Sequence, residues 1–238
     1  LPDTPDVETV LFGPEGVAGG IARGAVAIDF STISATAAAG FAVRLAAERG
    51  AWLLDVPVSG GPAGAREGTL TCMIGGAAEA VAAADPVLRA VGRTLTHLGP
   101  PGAGQVCKAA NQLLVAATLL AVSEALALGR KAGLDPTAMR AALLGGSARS
   151  FVLENHARRI IEGNDSPGFR AALMRKDLRL AAAATRDHGV FAPATALAAQ
   201  MLEAMVATGR GDRDCSALGA LVAELSGLHG GGPTGPAR

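Results

Sequence analysis

The feature that most constrains the fold is a change of pattern at Gly99–Gly102, which is Gly-Pro-Pro-Gly. Before it, short β-like runs alternate with helical patterns, which favours a parallel sheet with crossover helices. After it, every pattern is helical. Because proline and glycine punctuate secondary structure, we predict an α/β chain with a sheet domain over 1–100 and an all-helical domain over 101–229. Residues 230–238 are polar and Gly/Pro-rich, so we expect a disordered tail there.

The predicted elements follow from hydrophobic periodicity and from the residues that begin and end helices. Strands are predicted at 25–30, 52–58, 69–74 and 94–98. Helices are predicted at 34–49, 77–91, 105–131, 136–144, 151–162, 171–188, 193–208 and 215–228. Ser34 is a suitable N-cap for the first helix and Gly50 a suitable stop. The helix over 105–131 is apolar nearly all round, so we expect it at the centre of the helical domain or in a subunit interface.

Composition argues against several classes of protein. The chain carries no net charge, which disfavours nucleic acid and anionic membranes as partners. No uninterrupted apolar run reaches the roughly 18 residues that span a bilayer. Cys72, Cys107 and Cys215 are too few and too scattered for a disulfide framework or a zinc site. We therefore expect a cytoplasmic protein with no metal site.

The stretch Asp55–Leu70, DVPVSGGPAGAREGTL, places a glycine-rich loop after a predicted strand. In an α/β sheet, the loops beyond the carboxyl ends of strands are where ligands bind. Gly60 and Gly61 let the backbone approach an anion, and Ser59 adds a hydroxyl. These residues are typical of a carboxylate-binding loop, although an ordinary glycine-rich turn explains them equally well.

The stretch Gly102–Gln112 brings three polar side chains onto one face of the long helix. Lys108, Asn111 and Gln112 are spaced at i, i+3 and i+4. Burying an unpaired ammonium is costly, so a lysine here indicates either a cleft or a solvent-facing end of the helix. Only three of the 21 basic residues are lysines, and lysine exchanges protons far more readily than arginine. This bias modestly supports a functional role for Lys108.

A third stretch, Phe169–Leu178, holds Lys176 and Asp177 within a predicted apolar helix. From the residues alone, a surface ion pair is the simpler interpretation. A functional role becomes reasonable only when this stretch is taken together with the other two.

Together the three stretches resemble the β-hydroxyacid dehydrogenases, a family that includes 3-hydroxyisobutyrate dehydrogenases and, more distantly, 6-phosphogluconate dehydrogenase. The family pattern D-x-P-V-S-G-G followed by G-T-L matches Asp55–Leu70, and G-x-G-x-x-x-K-x-x-N matches Gly102–Asn111. The K-D-L after a phenylalanine matches Phe169–Leu178, and D-x-S-A-L matches Asp214–Leu218. Each motif alone is of middling specificity, whereas their order and spacing together are highly specific.

The resemblance implies roles for individual residues. Lys108 would be the catalytic acid/base. The carboxylate end of the substrate would be held by Ser59, Gly60 and Gly61, and the substrate would be oriented by Asn111 and Gln112. Many relatives have a second asparagine where Gln112 stands, so the amide is kept on a longer side chain. Contacts with NAD or NADP would come from Leu1, Pro2, Thr32 and Lys176.

The resemblance also implies a fold and a missing segment. We expect part of a Rossmann-type sheet domain, followed by an all-α domain like the C-terminal domain of 6-phosphogluconate dehydrogenase. The family's G-x-G-x-x-G pyrophosphate loop has no counterpart in these 238 residues. We therefore expect a chain truncated at its N-terminus, without the residue that separates NAD from NADP.

The substrate implied by the resemblance is a small carboxylate-bearing semialdehyde or hydroxy acid. Residues 145–178 look closer to the tartronate semialdehyde (2-hydroxy-3-oxopropionate) reductases than to the 3-hydroxyisobutyrate dehydrogenases, which remain the alternative. Imine reductases share the fold but lack the lysine, so Lys108 argues against them. A non-catalytic dimerisation or binding module is the alternative from another class. The family implies a homodimer or a higher homo-oligomer.

Overall fold

The computed structural model describes residues 1–228, and the tail predicted at 230–238 lies outside the described residues. The chain divides into two compact units. The first comprises Leu1–Asn111 and Arg179–Phe191, and the second comprises Gln112–Leu178 and Ala192–Arg238. The last described strand ends at Gly99, close to the boundary predicted at residue 100. The division into a sheet domain over 1–100 and a helical domain over 101–229 stays a prediction.

Helices and strands of the sheet region follow one another in the following order. The helices are α1 (Thr4–Phe12), α2 (Val17–Gly20), α3 (Ala35–Arg49), α4 (Gly61–Glu67) and α5 (Ala78–Val91). The strands are β1 (Val26–Asp29), β2 (Trp52–Asp55), β3 (Val58–Ser59), β4 (Leu70–Gly75) and β5 (Gly92–Gly99). Within residues 1–228 the strands form one sheet in the order β1-β2-β4-β3, with β5 paired to β4.

The sheet is mixed, so the prediction of a parallel sheet is only partly correct. The β1–β2 and β4–β5 pairs are parallel, as predicted. The β2–β4 and β3–β4 pairs are antiparallel. The connection between β3 and β4 is short: it covers residues 60–69 and contains the seven-residue helix α4. A parallel crossover needs a dozen or more residues, so the chain returns in the antiparallel sense.

The single strand predicted over 52–58 is wrong in detail, because the structure has two strands, β2 and β3, separated at Val56 and Pro57. Proline has no backbone N–H and cannot donate to a strand ladder. The Pro57 carbonyl still accepts a hydrogen bond from Met73 N at 3.0 Å. The break gives β3 its own pairing with β4 and starts the glycine-rich loop.

Capping residues explain both a confirmed helix and a missed one. Ser34 Oγ accepts a hydrogen bond from Ala37 N at 3.3 Å, and Gly50 ends α3 at φ 62°, so both predicted ends are confirmed. Helix α1 was not predicted. It begins with a capping box in which Asp3 and Asp6 bond each other's backbone N–H, with proline in the first turn. That spacing was the sequence signal for this helix.

Both faces of the sheet are covered within the first unit. Adjacent residues of a strand point to opposite faces, and Leu53 and Leu54 of β2 do so. Leu53 belongs to a buried cluster with residues of α1 and α3, including Val7 and Leu45. Leu54 belongs to a second cluster with residues of β4 and α5, including Leu88. The loops at the strand ends, which hold the candidate functional residues, are therefore supported by a sheet that is packed on both faces.

The remaining elements are helical. They are α6 (Ala103–Lys131), α7 (Pro136–Leu144), a π-helix (Val152–His156) that continues as α8 (Ala157–Glu162), α9 (Ala171–Asp187), α10 (Pro193–Ala207), a 3₁₀ turn (Cys215–Ala217) and α11 (Leu218–Leu225). The helix predicted at 136–144 has the predicted bounds, and those predicted at 171–188 and 193–208 end one residue early. The helix predicted at 151–162 is the π-helix followed by α8. The last predicted helix is instead a 3₁₀ turn followed by α11, and it ends three residues early. Helices α6 and α9 each contribute residues to both units.

Helix α6 is less uniformly buried than its sequence predicts. Leu119 and Leu126 are buried, whereas Leu114 is 64% exposed and Leu128 is 70% exposed. The helix is therefore not fully buried within the single chain, and its predicted place in a subunit interface stays a prediction. Among residues 1–228, α6 is the one helix long and apolar enough to cross a membrane, but half of its most apolar stretch is buried in the protein. Core helices of soluble proteins pass the same test, so its length is weak evidence for a membrane.

Candidate active site

Lys108 is a buried lysine whose ammonium group faces the glycine-rich motif. It lies in the second turn of α6 and is only 7% exposed. Its Nζ donates a hydrogen bond to the carbonyl oxygen of Val58 at 2.8 Å. Val58 immediately precedes Ser59. The structure therefore brings together two of the motifs that the sequence singled out, although 50 residues separate them.

The loop at Ser59, Gly60 and Gly61 depends on glycine at two successive positions. Gly60 has φ 133° and Gly61 has φ 62°, backbone conformations that favour glycine. A Cβ on Gly60 would also lie 3.1 Å from Leu70 Cδ2, whereas a Cβ on Gly61 would meet no atom within 4 Å. The loop is closely packed at Gly60 and open at Gly61, which is compatible with the predicted carboxylate-binding role.

Asn111 follows Lys108 by three residues on α6 and is half-buried. Gln112, the next residue, belongs to the second unit and is 4% exposed. Its Nε2 donates to Asp177 Oδ2 at 2.6 Å and lies 3.8 Å from Met174 Sδ. The amide of Gln112 is thus held by a buried carboxylate. Its role in orienting the substrate stays a prediction, as does that of Asn111.

Lys176 and Asp177 form a largely buried ion pair in the second unit. Lys176 Nζ lies 3.0 Å from Asp177 Oδ1, and the two side chains are 14% and 4% exposed. The simpler interpretation of a surface ion pair is therefore wrong. Asp177 binds both Lys176 and Gln112, a role that the sequence analysis missed. The only sequence signal was its place in the K-D-L motif.

The other residues predicted to contact the dinucleotide lie at the carboxyl end of β1. The backbone nitrogen of Leu1 donates to Ser31 Oγ at 2.8 Å, which places Leu1 and Pro2 beside the loop that contains Thr32. At the last residue of β1, Asp29 Oδ2 is buried without a hydrogen-bond partner, although Oδ1 accepts from Ser31 N at 2.9 Å. An unused acceptor at a strand's carboxyl end fits a ligand that carries hydroxyl groups, as a dinucleotide does.

Asp55 is a second residue that the sequence analysis missed as a functional candidate. It ends β2 and is 2% exposed. Its Oδ1 accepts from Gly102 N at 2.7 Å, and its Oδ2 accepts from Gln105 N at 3.0 Å. Burial raises the pKa of this carboxyl, although the backbone donors oppose that shift. Asp55 therefore satisfies N–H groups at the start of α6, which otherwise lack partners within the helix.

Three potential metal-ligating side chains come together in the second unit, where the sequence predicted no metal site. Ligand atoms of His156, Asp214 and Cys215 lie within 4.8 Å of one another. The carboxylate of Asp214 already accepts hydrogen bonds from Gly168 N, Phe169 N and Ser216 N. Arg159 Nε lies 3.4 Å from Asp214 Oδ1, and burial raises the pKa of the Cys215 thiol to about 12. A neighbouring cation and a protonated thiol both disfavour a metal ion.

Comparisons with known proteins agree with this geometry. Residues 1–99 match the family model for the NAD binding domain of 6-phosphogluconate dehydrogenase. Residues 102–222 match the model for the NAD-binding domain of NADP-dependent 3-hydroxyisobutyrate dehydrogenase. The two matches meet in the Gly-Pro-Pro-Gly segment where the sequence changes its pattern.

Individual relatives belong to the same group of enzymes. The chain is 43% identical to 2-hydroxy-3-oxopropionate reductase of Escherichia coli, over 92% of this chain and 74% of that protein. It is 38% identical to 2-(hydroxymethyl)glutarate dehydrogenase of Eubacterium barkeri, over 96% and 76%. The crystal structure of 3-hydroxyisobutyrate dehydrogenase from Salmonella typhimurium superposes with a TM-score of 0.84 at 31% identity, over 93% and 77%. The chain therefore belongs to the β-hydroxyacid dehydrogenase family, and it is an NAD(P)-dependent oxidoreductase.

Proposed function

We propose that the protein interconverts a small 3-hydroxy acid and its semialdehyde, with tartronate semialdehyde (2-hydroxy-3-oxopropionate) as the preferred substrate. The observation that carries the proposal is the 2.8 Å hydrogen bond from Lys108 Nζ to Val58 O, which holds the ammonium group beside the Ser59–Gly61 loop. A proton donor and a candidate carboxylate-binding loop then lie within reach of one small substrate.

Lys108 acts as the acid and base in this proposal. During reduction, the carbonyl oxygen of the semialdehyde gains negative charge, and the Lys108 ammonium stabilises it and donates a proton to it. During oxidation, the neutral amine of Lys108 takes the proton from the substrate hydroxyl. Bound NAD or NADP supplies or accepts the hydride. The Val58 carbonyl keeps Nζ oriented towards the loop between turnovers.

The loop residues hold the rest of the substrate. Ser59, Gly60 and Gly61 bind the substrate carboxylate through the serine hydroxyl and the backbone, and the open side of Gly61 leaves room for it. Asn111 and Gln112 orient the substrate. Leu1, Pro2 and Thr32 bind the dinucleotide at the carboxyl end of β1.

The choice of tartronate semialdehyde is supported by the 43% identity to a 2-hydroxy-3-oxopropionate reductase. A steady-state assay with tartronate, methylmalonate and succinate semialdehydes, each with NADH and NADPH, tests this choice. We expect the highest kcat/KM with tartronate semialdehyde. A clear preference for methylmalonate semialdehyde would instead support 3-hydroxyisobutyrate dehydrogenase activity, the second candidate, which the superposition on that enzyme favours. A preference for succinate semialdehyde would contradict both.

We also propose that the protein is a cytoplasmic homodimer or higher homo-oligomer. Helix α6 leaves Leu114 and Leu128 64% and 70% exposed, and exposed apolar side chains on a helix of this kind favour association. A closed two-fold pair is the commonest arrangement of identical chains. Size-exclusion chromatography with light scattering tests the proposal, and a monomer at micromolar concentration would contradict it.

A further inference from the structure

Gln105 lies one helical turn before Lys108 and is more deeply buried, yet the proposed reaction gives it no role. It is 2% exposed. Its Nε2 donates to the carbonyl oxygen of Ser31 at 2.9 Å, and its Oε1 accepts from Ile33 N at 3.1 Å. Both ends of the amide therefore bind the backbone on either side of Thr32. Gln105 links the loop after β1 directly to the turn of α6 that precedes Lys108.

The start of α6 is also fixed from the side of β2 and β4. The carboxylate of Asp55 binds Gly102 N and Gln105 N. A Cβ on Gly104 would lie 2.4 Å from Met73 O and 2.6 Å from Asp55 O. The helix backbone is thus in direct contact with two strands, and this first turn cannot shift towards them.

We propose that Gln105 is a positioning residue that fixes the Thr32 loop relative to Lys108. The inference rests on the proposed function, in which Thr32 contacts the dinucleotide and Lys108 protonates the substrate oxygen. Hydride transfer and proton transfer act on the carbon and the oxygen of one carbonyl group, so their donors must be aligned with each other. A misplacement of 1 Å can reduce the rate about 10²-fold. The amide of Gln105 binds the loop on both sides of Thr32, while its backbone belongs to the helix that carries Lys108.

The test replaces Gln105 with methionine, which keeps the length and apolar stem of the side chain but forms neither hydrogen bond. The matched control is Gln200→Met on α10, where the glutamine is exposed. We expect kcat of Gln105→Met to fall about 100-fold, with the KM for the hydroxy acid unchanged within about threefold. We also expect the dissociation constant for NAD(P), measured by fluorescence titration, to rise severalfold. Gln200→Met should match the unmodified enzyme in all three quantities.

A purely structural role for Gln105 would lower the melting temperature and the folded fraction, but not kcat per folded active site. A kcat per folded site within about twofold of the unmodified enzyme therefore overturns the proposal. If Gln105→Met does not fold, Gln105→Glu takes the same test, because glutamate keeps the acceptor for Ile33 N and loses the donor to Ser31 O. Lys108→Arg separates a failure of the positioning role from a failure of the acid/base role on which it rests. If that variant is fully active, the acid/base role of Lys108 in the proposed function fails, and the positioning role fails with it. If Lys108→Arg is inactive while Gln105→Met is unaffected, only the positioning role fails.

Discussion

The region around Asp55 in the first unit and the region around Asp214 in the second are built on similar chemistry. Each has a buried aspartate, 2% and 3% exposed, whose carboxylate accepts backbone N–H groups where a helical segment begins. Around Asp55 the anchored segment leads within two turns to Lys108, a candidate acid/base. Around Asp214 the anchored segment leads to α11, whose buried residues are all apolar. A buried aspartate that accepts backbone N–H groups therefore anchors a helix with a candidate catalytic residue in one unit and a structural helix in the other.

The two aspartates differ in the direction in which their pKa values move. Burial raises the pKa of both carboxyls. For Asp55, the backbone donors do not overcome burial, and its pKa is raised. For Asp214, the donors include the Ser216 side chain as well as backbone N–H groups, and its pKa is lowered. The Ser216 side chain is thus one of the donors that outweigh burial at Asp214. Arg159, 3.4 Å away, adds a cation that Asp55 does not have among its described ion pairs.

The prediction with the largest expected effect tests whether the helix anchored by Asp55 carries a catalytic residue. Lys108→Arg keeps the positive charge but cannot deliver a proton at neutral pH. We expect kcat to fall about 10²- to 10⁴-fold, with NAD(P) affinity unchanged within about threefold. Steady-state kinetics and a dinucleotide titration measure the two quantities. The exposed Lys131→Arg on the same helix is the control. Retention of most of kcat in Lys108→Arg would make Lys108 an electrostatic anchor and would remove the contrast between the two regions.

The second prediction tests whether the region around Asp214 is structural. Asp214→Ala removes a carboxylate that binds Arg159 and three backbone N–H groups. We expect a loss of about 3–5 kcal/mol in the free energy of unfolding, because several backbone donors lose their acceptor and the partly buried Arg159 loses its carboxylate partner. Urea denaturation measures it, with the exposed Asp212→Ala as the control. A loss below about 1 kcal/mol would contradict the structural role.

The pH dependence of this loss follows from the direction of the shift. The pKa of Asp214 in the folded protein lies below the ordinary value of 3.8. Its contribution to stability is therefore complete above pH 3.8 and is lost as pH falls through the folded-state pKa. The difference between the unmodified protein and Asp214→Ala should narrow below pH 3.8. A difference that widens with acidification would mean that the sign of the shift is wrong.

Sequence reasoning went furthest where a local signal decided the structure. Ser34 and Gly50 predicted both ends of α3, and the Gly-Pro-Pro-Gly segment predicted where the strands give way to helices. The motif around Lys108 predicted the candidate site, because spacing on a helix is a local property. The antiparallel pairing of β4 and the buried role of Asp55 depend on contacts between residues far apart in the chain. Local patterns in a single sequence do not predict such long-range contacts, so these features follow only from the three-dimensional structure.

The third prediction tests the raised pKa of Asp55, a shift in the opposite direction to that of Asp214. Asn is nearly isosteric and accepts one of the two hydrogen bonds, but its NH₂ group faces the other donor. We expect Asp55→Asn to lose about 1–3 kcal/mol of stability at neutral pH. The raised pKa of Asp55 means that its ionised form is disfavoured in the folded protein. The unmodified protein should therefore gain stability over Asp55→Asn as pH falls through the raised pKa towards 3.8. Denaturation at several pH values measures the trend, and a gap that narrows on acidification, as at Asp214, would contradict it.

The smallest expected effect removes the side-chain donor that distinguishes the two aspartates. Ser216 is buried, and its side chain helps to lower the pKa of Asp214. We expect Ser216→Ala to cost about 1 kcal/mol in the free energy of unfolding, the typical value of one hydrogen bond. Because the lost interaction is with the ionised carboxylate, this cost should disappear as Asp214 becomes protonated below pH 3.8.

Ser123→Ala is the matched control, since Ser123 is buried and its hydroxyl donates to a neutral carbonyl, Leu119 O, at 2.7 Å. Its cost should not change with pH. If the two alanine variants showed the same pH dependence, the Ser216 hydroxyl would not be a group that lowers the pKa of Asp214.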